Sequence, residues 1–261
     1  MRVRIDEIDA ALMELMAERF RMVDEVRTIK SAQAAQAGSP MRPVREVSLM
    51  RRLMALRRPE LPVPVVVRIW RELIGGATQI QAEMRVHMPA TALAGAAFRD
   101  LARDTFGTMA PFMEHEDWSG LVAAISDHAD DVAVVPASGR GWVEALLAAA
   151  ADDVGVIARV PMVAEPSAAD GFVLGRASDE AGDGCRTLIA LAGGAAPDPA
   201  GLLPGGAELA PVADGAGKGG RLWLVSLDSA LEERALDALK EREGDDGLAV
   251  RVLGRYPSPV E

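Results

Sequence analysis

The chain is short of three things: cysteine, long apolar runs and, over most of its length, lysine. Its one cysteine, Cys185, excludes an intramolecular disulfide framework. No apolar run approaches the length of a membrane span, and the N-terminus begins directly with an amphipathic segment containing Asp6, Glu7 and Asp9. The sequence therefore predicts no signal peptide and no membrane association, and a cytoplasmic location.

Basic residues are also scarce, but unevenly. The 261 residues carry a net charge of −11, which disfavours nucleic acid as a partner. Residues 1–88 contain 15 Lys and Arg against 11 Asp and Glu, a net charge of +4, whereas residues 89–261 contain 13 against 28, a net charge of −15. The N-terminal part is therefore the part expected to attract a small anion.

The scarcity of lysine makes one position conspicuous. Lys30 is the only lysine in the first 217 residues, where arginine supplies every other positive charge. An ammonium is a compact point charge and a guanidinium a planar fork, so the exception indicates a place where the former is needed. For Lys30 alone, a solvated surface lysine is the simpler interpretation. The other polar residues of the segment favour a functional role instead.

Residues 2–33 have the period of a long amphipathic helix. Apolar residues recur at steps of three and four at Ile5, Ile8, Leu12, Leu15, Met22, Val26 and Ile29. Arg19 interrupts this stripe, where a guanidinium is costly to desolvate unless an anion meets it. Lys30 is about 20° around the helix and roughly 16 Å along it, so both cations can hold one small dianion. Arg2, roughly 25 Å from Arg19 on a different face, can join such a site only from a second chain.

Two shorter helices are predicted next. The first helix ends before Pro40, a second runs over residues 43–58, and a third covers about residues 65–86. Gln81 interrupts the apolar side of the third helix as Arg19 interrupts that of the first. A buried glutamine is often only a structural amide, but two inward-facing cations favour a role in binding a ligand.

With these residues in place, residues 1 to about 88 resemble the all-helical (type II) class of chorismate mutase. The resemblance is carried by residues 1–9, 17–19 and 26–30, by Arg45-Glu46 and by Gln81. It implies an all-α three-helix domain, an intertwined homodimer with sites shared between chains, and the conversion of chorismate to prephenate in phenylalanine and tyrosine biosynthesis. It implies no metal and no cofactor.

The resemblance also implies how the substrate is bound. Arg2 matches the arginine contributed by the neighbouring subunit, Arg19 matches the in-chain arginine that binds a substrate carboxylate, and Arg45 matches a further active-site arginine. Arg42 stands where some members carry a second hydroxyl-binding acid, and Ala77 stands where some carry serine. These departures affect affinity more than the identity of the reaction.

Three further residues match groups that act on the reacting atoms. Lys30 matches the lysine at a carboxylate and the ether oxygen, Gln81 the amide at the ether oxygen, and Glu46 the acid that accepts from the ring hydroxyl. The reaction is an intramolecular Claisen rearrangement, in which the breaking ether oxygen gains negative charge. It needs a folded conformer held in place and donors fixed where that charge develops, and no nucleophile.

From about residue 93 short apolar runs alternate with helical stretches, which is typical of a small α/β domain. Strands are expected at residues 132–136, 153–163, 172–175, 188–191, 222–227 and 249–253, and helices at 142–151 and 230–242. The stretches 193–206 and 214–220, rich in Gly and Ala, are predicted loops.

This second half resembles a degenerate prephenate dehydratase. Residues 93–180 resemble its first lobe, through segments 98–107 and 131–136, and residues 185–261 are similar to the regulatory ACT domain that follows it. Asp170-Gly171-Phe172 stands where the family has its catalytic Thr-Arg-Phe. We therefore expect a folded remnant that has lost the dehydration chemistry.

Two alternatives stay open at this point: a bifunctional mutase and dehydratase, and a non-catalytic regulatory binding protein. Gly171 disfavours the first, and the presence of all six mutase residues disfavours the second. His115 and His128 lack further ligands at metal spacing, so both are predicted to be exposed loop histidines.

Overall fold

The structure is a computed structural model that describes residues 1–32, 40–149, 153–164, 169–177, 184–193, 208–211, 221–228, 236–237 and 249–261. Three helices come first in the chain: α1 (Arg2–Ala32), α2 (Pro43–Leu56) and α3 (Val63–Gln81). An α/β unit follows them. The predicted fold class, a three-helix segment followed by an α/β unit, is confirmed.

In its described residues the α/β unit contains nine strands and four helices. The strands are β1 (Val86–Pro89), β2 (Phe112–His115), β3 (Val132–Pro136), β4 (Val154–Val160), β5 (Gly171–Arg176), β6 (Cys185–Gly193), β7 (Glu208–Pro211), β8 (Arg221–Asp228) and β9 (Ala249–Pro257). The helices are α4 (Thr91–Ala94), α5 (Ala96–Phe106), α6 (Trp118–Asp127) and α7 (Arg140–Ala148). All six predicted strands and the predicted helix at 142–151 are present, with bounds shifted by a few residues.

The nine strands form one sheet in the order β2-β1-β3-β5-β4-β9-β6-β8-β7. β1 lies parallel between β2 and β3, and the other neighbours are antiparallel except β4 and β9. These two strands pair in parallel at Val156 and Gly254. Gly254 has a φ of 148°, and a Cβ there would overlap with the Val156 backbone. Only glycine therefore allows the strands to approach so closely at this point.

Strand β1 was not predicted. The helical pattern of the third helix was expected to continue to about residue 86, but α3 ends at Gln81, and Ala82 is extended. All four residues of β1 are buried, as in a strand covered on both faces, and such a short apolar run has no period of its own. Strands β2 and β7, also four residues long, were missed for the same reason. The predicted helix 230–242 and the two predicted loops lie largely or wholly outside the described residues.

Helix α2 shares a hydrophobic core with the sheet. Met50 and Val47 are fully buried in one cluster with Met88 of β1 and Val260 near the C-terminus. The Nη2 atom of Arg51 also donates to the carbonyl of Ser258 at 2.9 Å. The helical segment and the α/β unit are therefore packed together, and the expected boundary at residue 88 falls inside strand β1.

Helix α1 packs against α3 only in part. The ring of Phe20 lies beside Gly76, while the predicted apolar stripe is largely uncovered: Ile5, Ile8, Leu12, Leu15, Met22 and Val26 are 43% to 62% exposed. An apolar surface of this length on one chain is typical of an interaction site. Although α1 has 31 residues, no helix in the described part of the chain is both long and apolar enough to cross a membrane.

The shared core predicts that the helical segment and the sheet depend on each other for stability. Met50→Ala should lower the free energy of unfolding by about 2–5 kcal/mol, because it leaves a cavity where helix and sheet meet. Leu56→Ala on the same helix, where the side chain is exposed, should change it by less than about 0.5 kcal/mol. Urea denaturation followed by circular dichroism measures both, and equal effects would contradict the packing.

Candidate active-site groove

A groove of about 520 Å³ opens between α1, α2 and α3. It is lined by Arg19 of α1, Arg45 and Glu46 of α2, and Gln81 at the end of α3. Four of the six predicted site residues therefore come together at one concave surface. They are contributed by all three helices, so the groove exists only when the three are packed together.

The groove is strongly cationic. Arg42 and Arg52 also line it, so four guanidinium groups surround a single lining carboxylate, that of Glu46. Ala77, the other predicted departure, lies on the groove wall as well. A concave surface with this balance of charge attracts small anions and focuses their approach.

Arg19 is half-buried between α1 and α3. Its Nη1 atom donates to the backbone carbonyl of Leu73 at 3.1 Å, which leaves other N–H groups of the guanidinium to reach a ligand. Burial lowers the pKa of Arg19 from its ordinary value. A desolvated guanidinium gains more from an anionic ligand than a hydrated one, because less water has to be displaced.

The Gln81 side chain is held by its own helix. Its Nε2 atom donates to the carbonyl of Ala77 at 3.2 Å, a long hydrogen bond for an amide. The second Nε2 proton and the side-chain oxygen remain for other partners. Arg45 is exposed at the groove, one residue before Glu46.

Glu46 contacts a residue that sequence reasoning missed. The Nη2 atom of Arg71 donates to Oε2 of Glu46 at 2.6 Å, with 7% and 12% of the two side chains exposed. The apolar pattern of the third helix did not include Arg71, so its burial was not predicted. The signal overlooked was the pair Gly75-Gly76, since small residues one turn along α3 mark a closely packed face.

Of the remaining two predicted residues, only Arg2 has a side chain that the structure describes. Arg2 is exposed near the N-terminus of α1 and is not among the residues that line the groove. Lys30 lies near the end of α1, and its side chain is outside what the structure describes. The roles of all six residues stay predictions.

A second polar cluster lies at the edge of the sheet. Nδ1 of His87 is 2.7 Å from Nε2 of His115, and Nε2 of His87 is 3.1 Å from Oδ2 of Asp131. Since the Asp131 carboxylate only accepts, His87 donates to it through Nε2. His115 is therefore not the isolated loop histidine that was predicted: it ends strand β2 and is partly buried.

The cluster shifts two pKa values downward. Burial and the neighbouring His87 lower the pKa of His115, with Asp117 acting in the opposite direction. Burial alone would raise the pKa of Asp131, but hydrogen bonds from the Arg85 backbone and from His87, and the charge of Arg85, hold it below its usual range. The described residues contain no group of three or more His, Cys, Asp or Glu side chains arranged to hold a metal ion.

The first three helices thus form a helical unit with a cationic groove. Residues 1–82 match the family chorismate mutase type II. The N-terminal segment is therefore a chorismate mutase type II domain, as its resemblance indicated.

Curated relatives match over the same part of the chain. A bifunctional chorismate mutase/prephenate dehydratase of Pseudomonas aeruginosa is 30% identical over 88 residues, and the protein of the same description from Stutzerimonas stutzeri is 31% identical over 88 residues. Each alignment covers 33% of this chain and 24% of the relative. The chain thus matches about a quarter of the length of these relatives.

Some solved structures are similar to about two thirds of the chain. Prephenate dehydratase from Streptococcus mutans has 15% identity and a TM-score of 0.42, over 68% of this chain and 100% of that one. A chain described as GqqA, a novel type of quorum quenching acylase, has 16% identity and a TM-score of 0.48, over 67% of this chain and 95% of that one. The fold assignment rests on the strands and helices themselves.

The lowered pKa of His115 predicts a loss of stability in mild acid. Between its folded pKa and its ordinary value of 6.5, the unfolded chain binds more protons than the folded one, so the free energy of unfolding falls as the pH falls through this window. His115→Gln should flatten this slope, whereas His128→Gln, which changes an exposed histidine, should leave it unchanged. Urea denaturation between pH 5 and 8, a range of about three units around the His pKa, measures the slopes.

Proposed function

We propose that the protein is a chorismate mutase, an isomerase that converts chorismate to prephenate without cofactor or metal. The observation that carries the proposal is the groove, where four guanidinium groups, Glu46 and Gln81 converge within a segment that matches the family. Because the curated relatives are matched over only a quarter of their length, the activity of the whole chain is inferred from this one segment.

The groove suits a dianionic substrate. Arg19 and Arg2 of the partner subunit are proposed to bind its carboxylates and to hold the folded conformer in which one C–O bond breaks and one C–C bond forms. Arg45 is proposed as a further substrate-binding arginine. Lys30 and Gln81 are proposed to direct N–H donors to the ether oxygen, where negative charge develops. Glu46 is proposed to accept from the ring hydroxyl. Nothing leaves and nothing is transferred between molecules.

Two features of α1 support the proposal of a homodimer with shared sites. Its apolar stripe is uncovered in the single chain, and Arg2 lies at the far end of the helix from the groove. A second copy of α1 packed along the stripe would bury the apolar surface and bring its Arg2 toward this groove. The enzyme is proposed to be cytoplasmic and to act on chorismate alone, with no nucleic acid and no membrane as partner.

The α/β half is proposed to be a dehydratase remnant without dehydration chemistry. Gly171 begins β5, and a Cβ there would lie 2.7 Å from the carbonyl oxygen of Val135, so the position has no room for an arginine side chain. Asp170 beside it is bound by Arg159, with Nη2 to Oδ2 at 2.7 Å. We also propose that residues 1–88 form the mutase domain, residues 93–180 the dehydratase-like lobe and residues 185–261 the ACT-like remnant.

The first test is a product assay. Purified protein incubated with chorismate should form prephenate and should not form phenylpyruvate above the spontaneous background, because Gly171 supplies no side chain to assist the leaving group. Absorbance after separation of the two products measures both. Enzyme-dependent phenylpyruvate would restore the bifunctional alternative, and absence of prephenate would favour a binding protein.

The second test concerns the lone lysine. Lys30→Ala should lower kcat by about 10²–10³, the scale for losing one donor to a developing oxyanion. Lys218→Ala, which removes the next lysine in the sequence, is the matched control and should keep wild-type turnover. Initial rates of chorismate consumption decide, and a Lys30→Ala enzyme with near-normal kcat would contradict the assignment.

The third test concerns the shared site. Arg2→Ala and Lys30→Ala homodimers should both be inactive, but their mixed dimers should regain activity, because one of the two sites then carries both residues. With a random mixture of subunits, about a quarter of all sites should be intact, since half of the dimers are mixed and each has one good site. Mixed dimers that form and stay inactive would show that each site is built from one chain.

A further inference from the structure

Arg71 lies directly behind Glu46. Glu46 lines the groove, whereas Arg71 is not among the groove's lining residues and is buried on the side of α3 that faces the α/β half. The contact between them, from Nη2 to Oε2, is 2.6 Å long, which is short even for a charged pair. Arg71 thus binds Oε2 of the carboxylate, and Oε1 is left to accept a hydrogen bond in the groove.

The other side of the Arg71 guanidinium meets the α/β half. Its Nη1 atom is 3.2 Å from the sulfur of Met162, and Nε is buried with no hydrogen-bond partner among the described residues. Met162 itself is fixed by the C-terminal residues, because its carbonyl accepts from the backbone N–H of Val260 at 2.8 Å. Glu46 and Met162 are therefore the two groups that orient the guanidinium.

Stability alone does not account for this arrangement. A buried ion pair is on balance about neutral compared with apolar residues of the same volume, because desolvation of both charges offsets their attraction. Here one guanidinium nitrogen is left unpaired, and another meets only a thioether, a weak acceptor. What the pair does provide is a fixed position for the Glu46 carboxylate.

We propose that Arg71 is the positioning residue of Glu46, and that Met162 in turn holds Arg71, so that the α/β half is a physical part of the mutase site. This inference rests on the proposed function, in which Glu46 accepts from the substrate hydroxyl. In this proposal the second half of the chain supports the mutase site without catalysing a reaction itself.

A double-mutant cycle in the full chain tests the link. Arg71→Met should lower kcat/KM for chorismate by about 10², the scale of a misplaced catalytic group. In a Glu46→Gln background the same change should alter kcat/KM by less than about twofold, because the group that Arg71 positions is already lost. A purely structural role for Arg71 would give additive effects instead.

Matched variants separate positioning from folding. Arg68→Met removes an arginine one turn earlier on α3, whose exposed side chain pairs with Asp104, and should leave kcat/KM unchanged. Arg71→Lys keeps the charge and one donor and should recover part of the activity lost in Arg71→Met. Met162→Leu conserves volume but removes the sulfur, and should lower kcat/KM in the wild type and not in Glu46→Gln. Thermal unfolding by circular dichroism confirms that each variant is folded.

The outcomes distinguish this inference from the proposed function. A wild-type protein without mutase activity would overturn both. An active wild type in which the Arg71→Met and Glu46→Gln effects are additive would overturn the positioning role alone. If Arg71→Met proves unfolded, the decision falls to Arg71→Lys and Met162→Leu, each measured with and without Glu46→Gln: additive effects reject the inference and non-additive effects support it.

Discussion

Met50 and Val47 bury one face of α2 in the core of the sheet, and the position of every other helical feature follows from that packing. α2 carries Arg45 and Glu46, so the same contacts that bury its apolar face also orient its polar face toward α1 and α3. The groove is therefore not a property of three helices alone. The helix that carries Arg45 and Glu46 is held by Met50 and Val47, which pack against residues more than a hundred positions away in sequence, such as Val260.

Charge is distributed in two opposite ways around this core. In the groove, four guanidinium groups and one carboxylate line a surface that is open to a ligand. At the sheet edge the reverse holds, because Asp131, His87 and His115 satisfy one another in a chain of hydrogen bonds. The charge of the first arrangement suits a small anion, whereas the polar groups of the second are hydrogen-bonded to one another.

Sequence reasoning found what depends on local pattern. The three helices, the long strands and the convergence of Arg19, Arg45, Glu46 and Gln81 follow from period, helix ends and family resemblance. It missed Arg71, because burial of a charged residue depends on Glu46 and Met162, which lie 25 and 91 residues away. It misjudged His115 because its partner, His87, lies in a strand too short to show any period.

The sheet contains one seam, where β4 and β9 pair at a single position, Val156 with Gly254. Strands on either side of the seam are joined to their own neighbours by much longer ladders. A Cβ at Gly254 or Gly155 would collide with the backbone of the opposite strand, so neither glycine can be replaced while the two strands stay this close. A side chain at either glycine would therefore separate β9 from β4, and with β9 the C-terminal residues that pack against α2.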